Sequence, residues 1–318
     1  MLLGFLLIYK LKDLVLVLIT AVVIASAIEP FTQSLNKIGM PRLPAVILIY
    51  LFVLVLFGGM IYFVFPPFYA EFANLVDDLP EYLKTLDLYG KVGEAAWLKD
   101  ILPSGAGLSS ALGKIGGGFL QTASFLFGGI FGFFLIIVVS FYLAVQEKGI
   151  ENFLRLVLPV EHEKYGIDLW LRSQRKIGLW LQGQMLLGFL MGVFVYLGLT
   201  ILGIKYALLL ALLTVVFELI PIFGPILAAV PAVIIAASQS FTSGILVLGF
   251  YVILQQFENH LIYPLVVRKM VGVPPLLSII SLIVGIQLAG FLGVILAVPL
   301  ASALVELIND FEKRKYQA

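Results

Sequence analysis

Residues 206–238 read YALLLALLTVVFELIPIFGPILAAVPAVIIAAS, an apolar run of 33 residues broken at its middle. The break holds Glu218, Pro221, Gly224 and Pro225, and Glu218 is the only charged residue between Lys205 and Glu258. A carboxylate at membrane depth is costly, so it faces a cavity, a partner or a pathway. Each proline removes a backbone donor, and Gly224 permits backbone angles that other residues avoid. Irregular backbone inside a membrane is tolerated only where protein buries it or water reaches it. The stretch predicts a broken membrane helix that carries an acid.

The rest of the chain agrees with a bilayer setting. Of its 318 residues 61% are hydrophobic and 12% charged, with a mean hydropathy of +1.10. Soluble domains carry roughly 25% charged residues, so a soluble class is excluded. Several uncharged stretches reach the ~20 residues that cross a hydrocarbon core. The fold class predicted is an all-α polytopic membrane protein with membrane lipids as its surroundings. A net charge of +1 gives no argument for nucleic acid. Cysteine is absent, which removes disulfides, thiolate nucleophiles and Cys-ligated metals.

Working outward gives a domain plan. Residues 1–65 hold N-terminal membrane helices, with 1–28 as one kinked pass or two abbreviated ones. Lys10 and Lys12 ahead of an apolar run ending in Ala25-Ser26-Ala27 also permit a cleaved leader, but Asp13 and the apolar start argue against it. Glu29-Pro30 is expected to end the first segment, and Pro66-Pro67 to stop the span over 45–65. Residues 66–121 carry seven acids against four bases and read as an extracytoplasmic insert. Within it, 67–80 has amphipathic helical spacing at Phe68, Phe72, Leu75, Val76 and Leu79. Residues 122–145 form a span, and 146–177 a charged cytoplasmic helical segment. Residues 178–306 form the C-terminal core, with a polar loop over Ser238–Ser243 before a helix from Gly244 to about Pro264. Residues 307–318 are a cytoplasmic tail.

Basic residues in short loops set orientation. Lys37/Arg42, Arg172/Arg175/Lys176, Arg268/Lys269 and Lys313–Lys315 form the cytoplasmic set. Span counting then makes 206–238 a hairpin entering from outside and 271–305 one entering from inside, bent near Gln287–Gly290. Residues 222–232 (IFGPILAAVPA) and 291–301 (FLGVILAVPLA) are alike, so Gly290, Gly293 and Pro299 are the hinge candidates of the second hairpin. Opposed hairpins from related segments are how many secondary transporters build a midplane site. The alternative source of the likeness is common membrane-helix composition, since Gly, Leu, Ala, Val and Pro are frequent in any such helix.

The candidate pathway residues are Glu218, Pro221, Gly224 and Pro225 with Gln255, Glu258, Asn259 and Gln287. Glu218 reads either as an ion-binding acid or as a structural acid capping donors at the break. Gln255, Glu258 and Asn259 stand at i, i+3 and i+4, so they share one helix face that lines a polar path, meets Glu218 or simply marks an interfacial helix end. Gln287 is a site amide or a helix–helix hydrogen-bonding group. The pairs Gly128/Gly132 and Gly188/Gly192 read as packing contacts. No catalytic residue, metal site or bound cofactor is predicted. There is no H-E-x-x-H and no G-x-S-x-G. Gly107–Lys114 misses the phosphate-loop spacing by one residue and has Ile115 after its lysine.

These pieces in this order resemble the autoinducer-2 exporter family of bacterial and archaeal membrane transporters. The resemblance rests on AIEPF (27–31), MPRLPAV (40–46), FYLAVQEK (141–148), LQGQ (181–184) and YALLLALL (206–213). ELIPIFGP (218–225), QFENHLIYP (256–264), GVPPL (272–276) and GFLGVILAVP (290–299) complete it. It implies about seven to eight membrane helices and a homo-oligomer, with a pentamer as candidate, in a prokaryotic cytoplasmic membrane. It also implies transport of a small polar solute, with autoinducer-2 as namesake and proton or sodium as coupling ion. The leading expectation is an ion-gradient-driven exporter rather than an enzyme. The alternatives are a sodium/proton antiporter and a non-transporting oligomeric scaffold or channel.

Overall fold

The computed structural model describes residues 11–88, 129–266 and 273–317. Among them every regular element is helical. In chain order these are α1 (Lys12–Lys37), α2 (Arg42–Leu88), α3 (Gly129–Val145), α4 (Gly149–Val157) and α5 (Val160–Ile201). Then come α6 (Ala207–Phe217), α7 (Gly224–Gln239), α8 (Phe241–Phe257), a π-turn (Glu258–Ile262), α9 (Tyr263–Val266) and α10 (Pro275–Gln317). Among the described residues five helical stretches are long and apolar enough to cross a bilayer: Leu14–Lys37, Arg42–Leu75, Val160–Ile201, Phe241–Ile262 and Leu292–Asp310. Phe131–Val145 with Gly149–Val157 would make a sixth as a bent pair, and Ala207–Phe217, Gly224–Gln239 and Leu276–Gly290 are shorter apolar helices. The protein is a multi-pass all-α membrane protein. At ~1.5 Å per residue, α6 reaches only ~16 Å of a ~30 Å core, so it cannot span alone.

Several expected helix ends are overturned. The first helix does not stop at Glu29-Pro30 but runs on to Lys37. Proline's fixed φ is itself helical, and the lost N–H frees only the Ser26 carbonyl. Gly178 of α5 packs directly against that carbonyl, with no room for a side chain. Likewise α2 passes through Pro66-Pro67 to Leu88, so 67–80 continues this helix instead of forming a separate one. The helix that holds the span expected from 178 starts earlier, at Val160. The polar loop over 238–243 shrinks to Ser240, whose hydroxyl caps α8 by accepting from the Ser243 amide at 3.0 Å. Gly128, the Gly107–Lys114 stretch and most of the acidic insert lie outside the described residues.

The chain divides into two units. The first comprises Met1–Val55, Ser124–Gln184 and Val266–Ala318. Here α1 packs along α3, and a cluster of Ala25, Ala144 and Val46 of α2, with Tyr50 and Phe141 against it, joins the three helices. A second cluster joins Val23, Ile177, Leu292 and Leu296. Arg42 donates to both Glu29 oxygens, at 2.6 and 3.1 Å, and to the Ala144 carbonyl at 2.9 Å. Arg172 donates to Glu306 at 2.7 Å and to Asp310 at 2.6 Å, and Lys176 also pairs with Glu306. Two of the three basic residues at 172–176 are thus tied to α10.

Within that unit α10 is bent. Ala289 (φ −143°, ψ 20°) and Gly290 (φ 57°, ψ −136°) leave helical geometry. Beyond them Gly293 lies in backbone contact with Gly285. Eight residues of straight helix would separate these two by ~12 Å, so the chain has folded back on itself. Gly290 therefore carries the bend, and Gly293 makes the contact between the arms. Pro299 is not at the bend; it lies inside the second arm.

The second unit comprises Leu56–Ala123 and Met185–Leu265. In it α7 packs on both α6 and α8. Gly188 and Gly192 of α5 let α6 approach: a Cβ on Gly188 would stand 3.2 Å from the Val215 carbonyl. Leu187, Met191, Val195, Leu209, Leu210, Ala228 and Ala232 form the buried interior.

Candidate functional site

The break between α6 and α7 occupies residues 218–223 of the second unit, and its backbone is largely satisfied by tight turns. The amides of Ile220 and Gly224 donate to the carbonyls of Phe217 and Ile220 at 2.8 Å, and the Phe223 amide donates to that of Pro221 at 2.9 Å. Pro225 stands in the first turn of α7, where a missing N–H costs nothing. The unusual backbone angle falls on Ile222, at φ 73°, and not on Gly224. Gly224 is already helical and is required for another reason. Its Cα abuts the Phe217 carbonyl, and any Cβ would overlap it. A β-branched residue at positive φ is strained, and such strain persists only where its surroundings impose it.

The start of α6 is held from α2. The Glu71 carboxylate accepts from the Leu209 amide at 2.8 Å, supplying the N-terminal cap. Two turns further along α2, Asp78 accepts from the Tyr206 hydroxyl at 2.5 Å and lies 3.8 Å from the Lys205 ammonium.

Glu218 closes α6 as its C-terminal cap residue, and Glu258 closes α8 in the same way. Both are buried, at 1% and 5% exposure. Their carboxyl groups meet within hydrogen-bonding reach. Gln255 donates to Glu258 at 3.4 Å. A Cβ on Gly188 would stand 3.4 Å from the Glu218 Cβ, so this acid is also packed against α5. Tyr251 lies one heptad before Glu258 on the same face of α8, beside Thr214 of α6. Thr214 and Tyr251 were not among the residues singled out in the sequence; the seven-residue spacing from Tyr251 to Glu258 is the signal that would have found Tyr251.

The remaining candidates are placed differently. Asn259 is exposed although Glu258 is buried. A π-turn begins at Glu258 and alters the winding, so α-helical spacing no longer puts both on one face. Pro221 is half-buried and Pro225 buried, both at the break. Gln287 belongs to the first unit and is exposed there. His260 faces outward with its ring nitrogen 2.9 Å from the Gln256 carbonyl.

Chemically, the arrangement favours positive charge. The C-terminal end of a helix carries partial negative charge, so a carboxylate there gains nothing from capping. The residue that opens α7, Phe223, has no side-chain group to cap it. Two carboxylates in contact in a low-dielectric interior repel unless a proton or a cation sits between them. A π-turn at one of them fits a functional position.

Comparisons with known proteins give the family. The sequence model of the AI-2E family transporters matches residues 1–313. The chain belongs to that family. Among the relatives of this AI-2E family transporter is "Putative transport protein YueF" of Bacillus subtilis, 29% identical over 85% of the chain and 77% of the relative. "Putative transport protein YrrI" of the same organism is 26% identical over 94% and 87%. "Putative permease PerM" of Escherichia coli is 27% identical over 96% and 90%. The chain is accordingly a membrane transporter or permease.

Proposed function

We propose that the protein is an ion-gradient-driven secondary transporter that exports a small polar solute, an autoinducer-2-like molecule being the candidate the family name suggests. The observation that carries this reading is the buried meeting of Glu218 and Glu258 at the ends of two interrupted helices. A proton or sodium ion held between them is the coupling ion. Its loss leaves two like charges in contact, and their repulsion drives the α6–α7 turn against α8. Gln255 lines the same path. The hinge at Gly290 is the movable element of the first unit, and Gln287 stands in the arm before it. The working form is a homo-oligomer, with a pentamer as the candidate assembly.

The test is flux in proteoliposomes. Ion and solute movement are followed together for the wild type and Glu218→Gln, which keeps the shape of the side chain and removes its charge. Ion-dependent solute flux is expected to be lost in the variant while assembly is kept. Unchanged flux with unchanged ion dependence would remove Glu218 from the mechanism. Sodium-driven proton movement with no solute present would instead mark the protein as a sodium/proton antiporter.

A further inference from the structure

Helix α4 has a face that neither a soluble protein nor the rest of its own unit explains. It follows α3 after a break over 146–148 and is bent 85° from it. None of its residues is buried. Phe153 and Val157 are each 62% exposed, and Leu156 and Val160, on either side of the turn into α5, are each 87% exposed. Glu151, Asn152 and Arg155 lie on the other side, because the apolar positions 150, 153, 154 and 157 follow helical spacing.

The angle decides what covers this face. The sequence places α3 in the span expected over 122–145, and a helix bent 85° from such a span lies along the membrane plane. Continuation of the span through α4 would carry Glu147, Lys148, Glu151 and Arg155 into hydrocarbon, at a cost of about 3 kcal/mol for each charge at the centre. Lying at the interface keeps them wet. Arg155 pairs with Glu163 of α5 at 3.5 Å, which fixes the polar side of α4 toward the charged start of α5. We infer that α4 is an in-plane surface helix, with Ile150, Phe153, Leu154 and Val157 seated at the headgroup–acyl boundary of the bilayer in which the sequence places α3. Short helices with a polar and an apolar face bind there at a depth of ~5–10 Å. The bend at 146–148 then sits at the membrane surface, where it fixes the depth of α3 and the point from which α5 enters.

Because the chain has no cysteine, single substitutions can carry a nitroxide label without background. The full-length protein bearing Ile150→Cys, Phe153→Cys, Val157→Cys or Asn152→Cys is reconstituted in phosphatidylcholine–phosphatidylglycerol vesicles. Collision with oxygen, which partitions into lipid, is compared with collision with a water-soluble nickel chelate. Labels at 150, 153 and 157 are expected to favour oxygen several-fold, and the label at 152 to favour nickel. Equal nickel access at all four positions would overturn the proposal by showing a water-exposed helix. Shielding of 150, 153 and 157 from both reagents would also overturn it, by showing that protein, including another copy of this chain, covers the face. Neither outcome depends on whether the protein moves a solute.

Discussion

Glu218 and Glu258 meet as two buried carboxyl groups, each placed by the end of its own helix, 40 positions apart in the chain. The turn that ends α6 fixes one and the π-turn that follows α8 fixes the other. Groups held in contact this way act as a unit, so their removal is not additive. Glu258→Gln is expected to abolish ion-dependent flux as fully as Glu218→Gln. The double substitution should be no worse than either alone. Flux measured in proteoliposomes for the three variants checks this. A double variant whose loss equals the product of the two single losses would show that the acids work independently.

Gly224 leaves no room between its Cα and the Phe217 carbonyl. Gly224→Ala must separate α6 from α7, at about 1–3 kcal/mol, the usual cost of overpacking. Gly249 is the internal control, because a Cβ there meets nothing within 4 Å. Thermal unfolding in detergent is expected to show a lower midpoint for Gly224→Ala and none of that loss for Gly249→Ala. Equal midpoints would mean the turn yields easily.

The Arg42 guanidinium joins Glu29 of α1 and the Ala144 carbonyl of α3 in a pocket where both charged side chains are under 20% exposed. Removing one partner of a mostly buried pair costs about 3 kcal/mol, because the other charge is left behind. Arg42→Ala is expected to lower the unfolding midpoint strongly. Arg42→Lys should recover only part of it, since a lysine cannot reproduce the two-pronged bond. Pairing Arg42→Ala with Glu29→Ala should cost less than Arg42→Ala alone. A double variant worse than both singles would contradict the pair.

At Gly290 the backbone sits at φ 57° and ψ −136°, where side chains are excluded. Gly290→Ala is expected to destabilise the bend by about 1–3 kcal/mol and to straighten α10. Disulfide trapping between cysteines introduced in place of Ile286 and Leu292 would report this, with slower cross-linking in the variant. Identical rates would show that another residue carries the turn.

Much of the architecture was legible in the chain. Hydropathy marked the membrane class, and the lone acid beside Pro221 and Pro225 marked the break at 218–225. Gln287–Gly290 marked the second bend. Helix ends were less legible, and proline was the reason. Pro30, Pro66 and Pro67 remove a donor but keep a helical φ, and whether a helix survives them depends on what its freed carbonyls meet. At Pro30 the answer is Gly178, 148 positions away. Gly224 illustrates a related gap: its sequence suggested an unusual backbone angle, whereas its real constraint is a neighbouring carbonyl.

By itself, then, the sequence determined that this protein is a helical membrane chain with an isolated acid at a broken helix, because burial cost and proline chemistry are local properties of residue type. Only the tertiary structure decided that Glu258 meets Glu218, that Asn259 turns away, and that Ile222 carries the strained angle. Those outcomes depend on winding and contact between segments far apart in the chain. A repeat of 3.6 residues per turn cannot predict them once a π-turn intervenes.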